Sequence, residues 1–351
     1  MGIKIPRDPT VEKLKLKSKA VKTQQSYDGD WLKFVQYSKT RFNADPLEVD
    51  GIQDAYNLTE GYLNWLHTNS DAIKLKGKSE KNNPNAPSSN SNNKSYKSST
   101  IKRILASITY KYRINNFDFD RKNPQIAETM AAISRNKEIK PGQKKELLKE
   151  DIIKIVDPLF NSDNATDIRD KALILLGFYS FCRRSEILGM KFNHLEFLDE
   201  GIQILIPFSK TDQIGEGRYI FIAKKNDKYC PVNSLKKWLE IIRIENEDPL
   251  FYSINKSNKF NKYMLNKKNQ KISLSDSSFV KILKNRAQLA GLNEIEKISG
   301  HSLRRGAISE ARRNDLSIND IKAQSGHKSS QMIDLYSKVS DIKKTSVTKK
   351  I

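Results

Sequence analysis

The 351-residue sequence has few cysteines, no long apolar run and fewer acidic than basic residues. Its two cysteines, Cys182 and Cys230, are too few for a disulfide framework, and no Cys or His cluster has zinc spacing. We therefore expect a reducing compartment and neither a metal nor another cofactor. No apolar run reaches the roughly 18 residues of a membrane span, and the start MGIKIPRDPT lacks the apolar core of a secretion signal. These absences predict an intracellular protein with no membrane partner.

The charge is strongly basic. Lysine and arginine number 63 against 41 acidic residues, which gives a formal net charge of +22 and a pI near 9.7. The surplus is spread along the chain, as expected of a broad polyanion-binding surface. Nucleic acid is the predicted partner, and a basic protein of another kind, such as a ribosome-associated factor, is the alternative.

The first half of the chain is predicted to be a helical bundle. Apolar residues such as Trp31, Phe34, Ile104 and Ile108 recur at helical spacing, and nothing in this half is catalytic in type. The Asn, Ser and Lys tract at 70–98 cannot bury a core and reads as a long loop. The predicted segments are a flexible basic arm at 1–19, a helical core DNA-binding domain at 20–136 and a charged interdomain linker at 137–149.

The second half contains charge where a buried helix ends. Residues 165–181 are apolar nearly all round and run into CRRSEIL, where Arg183 and Glu186 are predicted to face inward. A helix that simply reaches the surface is the alternative. The segment GIQILIPFSKTDQIGEGRYIFIA alternates as a β-hairpin or small sheet does, with Lys210 on its turn. A lysine in that position is ordinarily a solvent-exposed residue.

The last quarter sets two histidines, several arginines and a tyrosine on short helices. His301 and Arg304 are three apart at a helix start, so their side chains share one face. A helix capped by a serine and ended by a glycine leads to His327, and a further apolar stripe carries Tyr336. Taken singly, the tyrosine reads as core packing and the histidine as a cap.

Taken together and in order, these residues resemble the tyrosine site-specific recombinases of the lambda-integrase family. The matching pieces are FCRRSEIL, a hairpin lysine in FSKTD, the His-x-x-Arg box HSLR, GH, and a tyrosine nine residues after that histidine. HSLRRGAISEARR and the preceding linker look nearest to the Cre-like branch. The resemblance implies a mainly α fold with a small β-sheet, in which the helical bundle and a mixed α/β catalytic domain at 150–340, followed by a tail at 341–351, form a C-shaped DNA clamp.

The resemblance also implies roles for the site residues. Arginines grip the non-bridging phosphate oxygens, a lysine protonates the leaving 5′ oxygen, and a tyrosine forms a 3′-phosphotyrosine bond. The candidate catalytic residues are Arg183, Glu186, Lys210, His301, Arg304, His327 and the nucleophile Tyr336. Lys102, Arg103 and Arg305 are candidate DNA contacts.

Strand exchange implies double-stranded DNA with an inverted-repeat target, a homotetramer and a Holliday junction, in cytoplasm or nucleoid. The alternatives are a type IB topoisomerase, which uses a similar residue set, and an accessory DNA-binding factor without catalysis.

Overall fold

A computed structural model of the protein describes residues 21–68, 96–135, 144–207, 217–242, 244–254 and 272–330. The chain divides into two compact units, Met1–Lys140 and Pro141–Ile351. The described residues are mainly helical, with one three-stranded sheet. The predicted fold class, mainly α with a small β-sheet, is therefore confirmed.

The helices of the first unit pack together through aromatic side chains. Phe34 lies 5.1 Å from Tyr62 and 6.1 Å from Tyr112 between ring centroids, and all three are fully buried. Such contacts add specific geometry to apolar burial. The described helices are α1 (Val21–Phe42), α2 (Ile52–Thr68), α3 (Ser98–Ile114) and α4 (Pro124–Arg135), with α1 packed on α3 and α2 on α4.

The second unit is built on one central helix. This helix, α6 (Ala165–Tyr179), is buried on nearly all sides, as its apolar sequence predicts, and packs against α5 (Lys149–Val156), α8 (Pro231–Ile242) and α10 (Ser302–Arg313). The described helices are α5 (Lys149–Val156), α6 (Ala165–Tyr179), α7 (Arg184–Gly189), α8 (Pro231–Ile242), α9 (Asp276–Leu289), α10 (Ser302–Arg313) and α11 (Ile318–Ser325). Within the described ranges, no helix is both long and apolar enough to cross a membrane.

The sheet is antiparallel, with strand order β1-β2-β3. Its strands are β1 (Leu195–Phe197), β2 (Gly201–Ile206) and β3 (Arg218–Ala223), and the β2–β3 register places Ile206 opposite Arg218. Ile220 and Ile222 of β3 are buried on the core face. The β2–β3 pair is predicted by the alternating sequence, whereas three-residue β1 is too short to show a pattern.

An extended segment at 144–148, which the sequence prediction assigns to the linker, lies against the second unit. The Lys145 amide donates to the Lys297 carbonyl at 3.1 Å, and the Leu147 amide donates to the Ser302 carbonyl at 3.2 Å. Leu147 is fully buried. A Cβ atom on Gly306 of α10 would lie only 1.7 Å from the Leu147 carbonyl oxygen, so only glycine permits this approach.

We expect Gly306→Ala to destabilise the protein by about 1–3 kcal/mol, as overpacking of a tight contact does. The obstacle is backbone, which cannot move aside as a flexible side chain can. The measurement is the melting temperature, with Gly189→Ala as a matched control because a Cβ there meets nothing within 4 Å. Equal melting temperatures for the two variants would contradict the close approach.

Candidate active site

The first part of the site lies where α6 passes into α7. Arg183 is the N-cap residue of α7, and Glu186 lies in its first turn. Glu186 accepts a hydrogen bond from the Arg183 backbone amide at 2.8 Å and another from Arg183 Nη1 at 2.8 Å. One carboxylate thus satisfies an amide at the helix start and orients the guanidinium beside it. The predicted inward position of both side chains is observed.

Helix α10 brings a buried arginine to the same place. Arg304 Nη1 donates to the carbonyls of Phe181 and Ser325, each at 2.8 Å. Phe181 has a φ of 57°, an uncommon left-handed conformation for a bulky residue. This conformation presents its carbonyl to Arg304, so local backbone strain accompanies the positioning of the arginine.

Helix α11 places the second histidine. Ser317 caps its first turn by accepting from the Asp320 amide at 3.1 Å, and Gly326 ends it with a φ of 68°. His327 follows, with Nε2 lying 2.9 Å from Arg304 Nη2 and Nδ1 lying 2.7 Å from Ser325 Oγ. The predicted capping serine and terminating glycine are both observed.

Positive charge dominates this cluster. Among the described residues, the Glu186 carboxylate pairs with the guanidinium groups of Arg183 and Arg218, and its charge also acts on Arg304. Burial, and after it the charge of Arg183, lowers the pKa of Arg304 to about 10, so the guanidinium still carries its proton at neutral pH. Burial, followed by the charge of Arg304, lowers the pKa of His327 to about 4. His327 is therefore neutral, and one ring nitrogen accepts from Arg304 because a guanidinium only donates.

Arg218, at the start of β3, is a member of the site that the sequence pattern did not indicate. Its Nη1 donates to the Gln324 carbonyl at 2.8 Å, and its Nη2 lies 3.2 Å from Glu186 Oε2. The sequence signal was an arginine beside the turn of a predicted hairpin, which is ordinarily a surface residue.

The remaining predicted residues lie in different places. His301 is the exposed N-cap residue of α10, where its amide donates to Ser299 Oγ at 3.3 Å. Lys210 and Tyr336 lie outside the described residues. The structure thus brings Arg183, Glu186, Arg304 and His327 together, and His301 stands one helical turn before Arg304.

The three candidate DNA contacts also differ from one another. Lys102 is exposed on α3. Arg103 forms an ion pair with Asp30 and donates to Ser26 Oγ at 2.7 Å. Arg305 donates to Glu146 Oε1 at 2.8 Å with its side chain mostly buried, so it holds the 144–148 segment to α10.

This arrangement is suited to binding a tetrahedral oxyanion. Guanidinium groups match the geometry and charge of phosphate oxygens, and burial strengthens the attraction. Among the described residues, no group of three or more His, Cys, Asp or Glu side chains is placed to hold a metal ion.

Comparison with known proteins identifies the family. Residues 145–342 match the phage integrase family. The chain is 30% identical over 325 residues to an integrase/recombinase XerD homolog from Selenomonas ruminantium, covering 91% of this chain and 82% of that protein. The chain therefore belongs to the phage integrase family, the tyrosine recombinases, which cleave and rejoin DNA.

Solved structures show the same fold. XerH site-specific recombinase, bound to a palindromic difH substrate, is 16% identical with a TM-score of 0.57, covering 97% of this chain and 83% of that chain. A lambda integrase dimer bound to a COC′ core site is 17% identical with a TM-score of 0.50, covering 93% and 92%.

We expect the free protein to lose stability as the pH falls from about 6.5 towards 4. The pKa of His327 is lowered from its ordinary 6.5 to about 4 in the folded state, so the unfolded chain binds the additional proton in this interval. The stabilising contribution is complete above pH 6.5. The measurement is the loss of melting temperature between pH 7 and pH 5, which should be smaller in His327→Gln.

A loss of melting temperature in His327→Gln as large as in the wild type would contradict a neutral, half-buried His327.

Proposed function

We propose that the protein carries out site-specific DNA recombination by forming a 3′-phosphotyrosine intermediate. Arg183 and Arg304 clamp the scissile phosphate, His327 hydrogen-bonds it and Glu186 orients Arg183. His301 accepts or relays the tyrosine proton. Tyr336 is the nucleophile and Lys210 the general acid.

The observation that carries the proposal is the convergence of Arg183, Arg304 and His327 on one electropositive place. They come from the α6–α7 junction, α10 and the end of α11, in the chain order of the motifs that resemble those of the family. Contacts to two carbonyls and an imidazole use both hydrogens of Arg304 Nη1 and one of Nη2. A phosphate approaching the remaining edge would meet a guanidinium already fixed in direction, which is electrostatic preorganisation.

The chemistry balances as a transesterification. The Tyr336 oxygen attacks phosphorus as its proton passes to His301, and the bond from phosphorus to the 5′ oxygen breaks as Lys210 protonates that oxygen. The phosphotyrosine bond keeps the energy of the phosphodiester, so a different 5′ hydroxyl can reverse the step. The arginines supply the charge that a metal supplies elsewhere, and we propose that cleavage proceeds in the presence of EDTA.

Exchange between two duplexes requires four such sites. We propose a homotetramer on an inverted-repeat target, acting through a Holliday junction, with the segment after Tyr336, residues 337–351, docking on a neighbouring copy. The Cre-like branch rests on HSLRRGAISEARR, and the relatives above bear Xer and lambda-integrase names, so the branch stays a prediction.

We expect covalent adducts on Tyr336 at one palindrome-like site when the protein is incubated with a duplex DNA library in EDTA. The measurement is sequencing of both the trapped DNA and the modified peptide. Tyr336→Phe should bind DNA within about threefold of the wild-type affinity and give no adduct, because only the phenolic oxygen is lost.

Each other outcome has a clear meaning. An adduct that persists in Tyr336→Phe would refute the nucleophile assignment. Adducts scattered over all sequences would indicate a topoisomerase, and tight binding without adducts in wild-type protein would indicate an accessory factor.

We expect Lys210→Ala to slow cleavage about 10²-fold or more, a typical contribution of general acid catalysis, with little loss of DNA affinity. A substrate with sulfur in place of the bridging 5′ oxygen should restore most of the rate, because a thiolate leaves without a proton. The control is Arg304→Ala, whose defect sulfur should not correct. Equal rates of Lys210→Ala on both substrates at the reduced level would contradict the general-acid role.

A further inference from the structure

We propose that Arg218 is a positioning residue for catalysis, which locks the end of α11, and with it His327, to Glu186. The expected effect of Arg218 on DNA cleavage rests on the proposed function. Its structural basis, the position of His327 in the free protein, is independent of that function.

The contacts of Arg218 join the Glu186 carboxylate at the start of α7 to the end of α11. Nη1 donates to the Gln324 carbonyl at 2.8 Å, and Nη2 lies 3.4 Å from the Ser325 carbonyl. The same Nη2 lies 3.2 Å from Glu186 Oε2. Glu186 also holds Arg183, so a single guanidinium links the arginine at the start of α7 to the end of α11.

The end of α11 needs such a partner for a general reason. The last carbonyls of a helix have no intrahelical donors, and cationic side chains there satisfy them and interact favourably with the helix dipole. Two arginines share this task, because Arg304 also donates to the Ser325 carbonyl at 2.8 Å. His327 is two residues further along, so its direction depends on where these carbonyls are held.

Gly326 shows how closely the guanidinium approaches. Its φ of 68° favours glycine, and a Cβ atom there would lie 2.6 Å from Arg218 Nε and 3.1 Å from Arg218 Cζ. The turn before His327 therefore packs directly on the guanidinium of Arg218. The Gln324 side chain adds a second link to β3, since its Nε2 donates to the Phe221 carbonyl at 3.1 Å.

A direct phosphate contact is the rival role for Arg218, and the geometry favours positioning. The side chain is only 18% exposed, and both Nη atoms already contact carbonyls or a carboxylate. The Arg218 Nε atom has no hydrogen-bond partner among the described residues, but it is buried beside Gly326, so a phosphate could reach only a remaining Nη hydrogen. Lysine at this position keeps the charge but cannot reach two partners as a planar fork does.

The experiment compares Arg218→Lys with the wild type. The DNA is a suicide duplex that carries the site recovered from the adduct library. We expect Arg218→Lys to slow single-turnover cleavage about tenfold or more, since small misplacements of a catalytic group are costly, while DNA affinity stays within about threefold. In protein without DNA, we expect the NMR signals of the His327 ring to shift and its titration midpoint to rise.

Arg286→Lys is the matched control, because this arginine pairs with Asp167 and Asp170 near the opposite end of α6. It should lower the melting temperature and leave cleavage and the His327 signals unchanged. If Arg218→Ala folds, its cleavage rate and His327 signals are compared in the same way. If it does not fold, Arg218→Lys alone tests the proposal.

Two results would overturn the proposal. Wild-type cleavage and His327 signals in Arg218→Lys would show that the bridge has no positioning role. Equal losses of affinity and cleavage rate, with unchanged His327 signals, would make Arg218 a phosphate contact. Absence of adducts in the wild type would refute the proposed function alone, because the NMR comparison needs no DNA.

Discussion

The buried guanidinium of Arg304 is the interaction on which the rest of the site depends. It gathers the Phe181 carbonyl, the Ser325 carbonyl and the His327 ring from segments far apart in the chain. Among the described residues, no carboxylate forms an ion pair with the Arg304 guanidinium within 4.0 Å, and Glu186 pairs instead with Arg183 and Arg218. The burial of a charge is costly unless it is compensated, so this site is oriented by dipoles and stays receptive to an anion.

The carboxylate of Glu186 provides the complementary constraint. It accepts from the Arg183 amide and side chain and from Arg218, with its own side chain only 2% exposed. One buried acid therefore fixes two arginines, and repulsion among three nearby cations does not drive them apart. Like-charged groups remain close because each has a fixed partner, and an approaching phosphate would relieve the remaining excess of positive charge.

The backbone is shaped to permit these contacts. Phe181 adopts a left-handed conformation that aims its carbonyl, Gly306 lets the 144–148 segment lie on α10, and Gly326 lets its turn lie on Arg218. The chain accepts local strain or loses a side chain at each of these points. As a result, α10 packs against the 144–148 segment and the end of α11 packs against Arg218, which limits the movement of Arg304 and His327.

Much of the fold was predictable because it depends on local pattern. The all-round apolar character of α6, Pro124 at the start of α4 and the serine cap and glycine end of α11 were each sufficient to place an element. Strand β1 was missed because three residues are too few for a periodic signal. The 144–148 segment was assigned to the linker because its charged sequence conceals the single buried residue, Leu147, that ties it to the second unit.

The sequence by itself supplied the candidate residues Arg183, Glu186, His301, Arg304 and His327, through short motifs whose residue types and spacing resemble those of the family. Only the tertiary structure decided which side chains pair with one another. It brought Arg218 from a strand end to Glu186, and it bound Arg305 to Glu146 across 159 positions of the chain. Such pairings depend on how distant segments pack, and no local pattern encodes that packing.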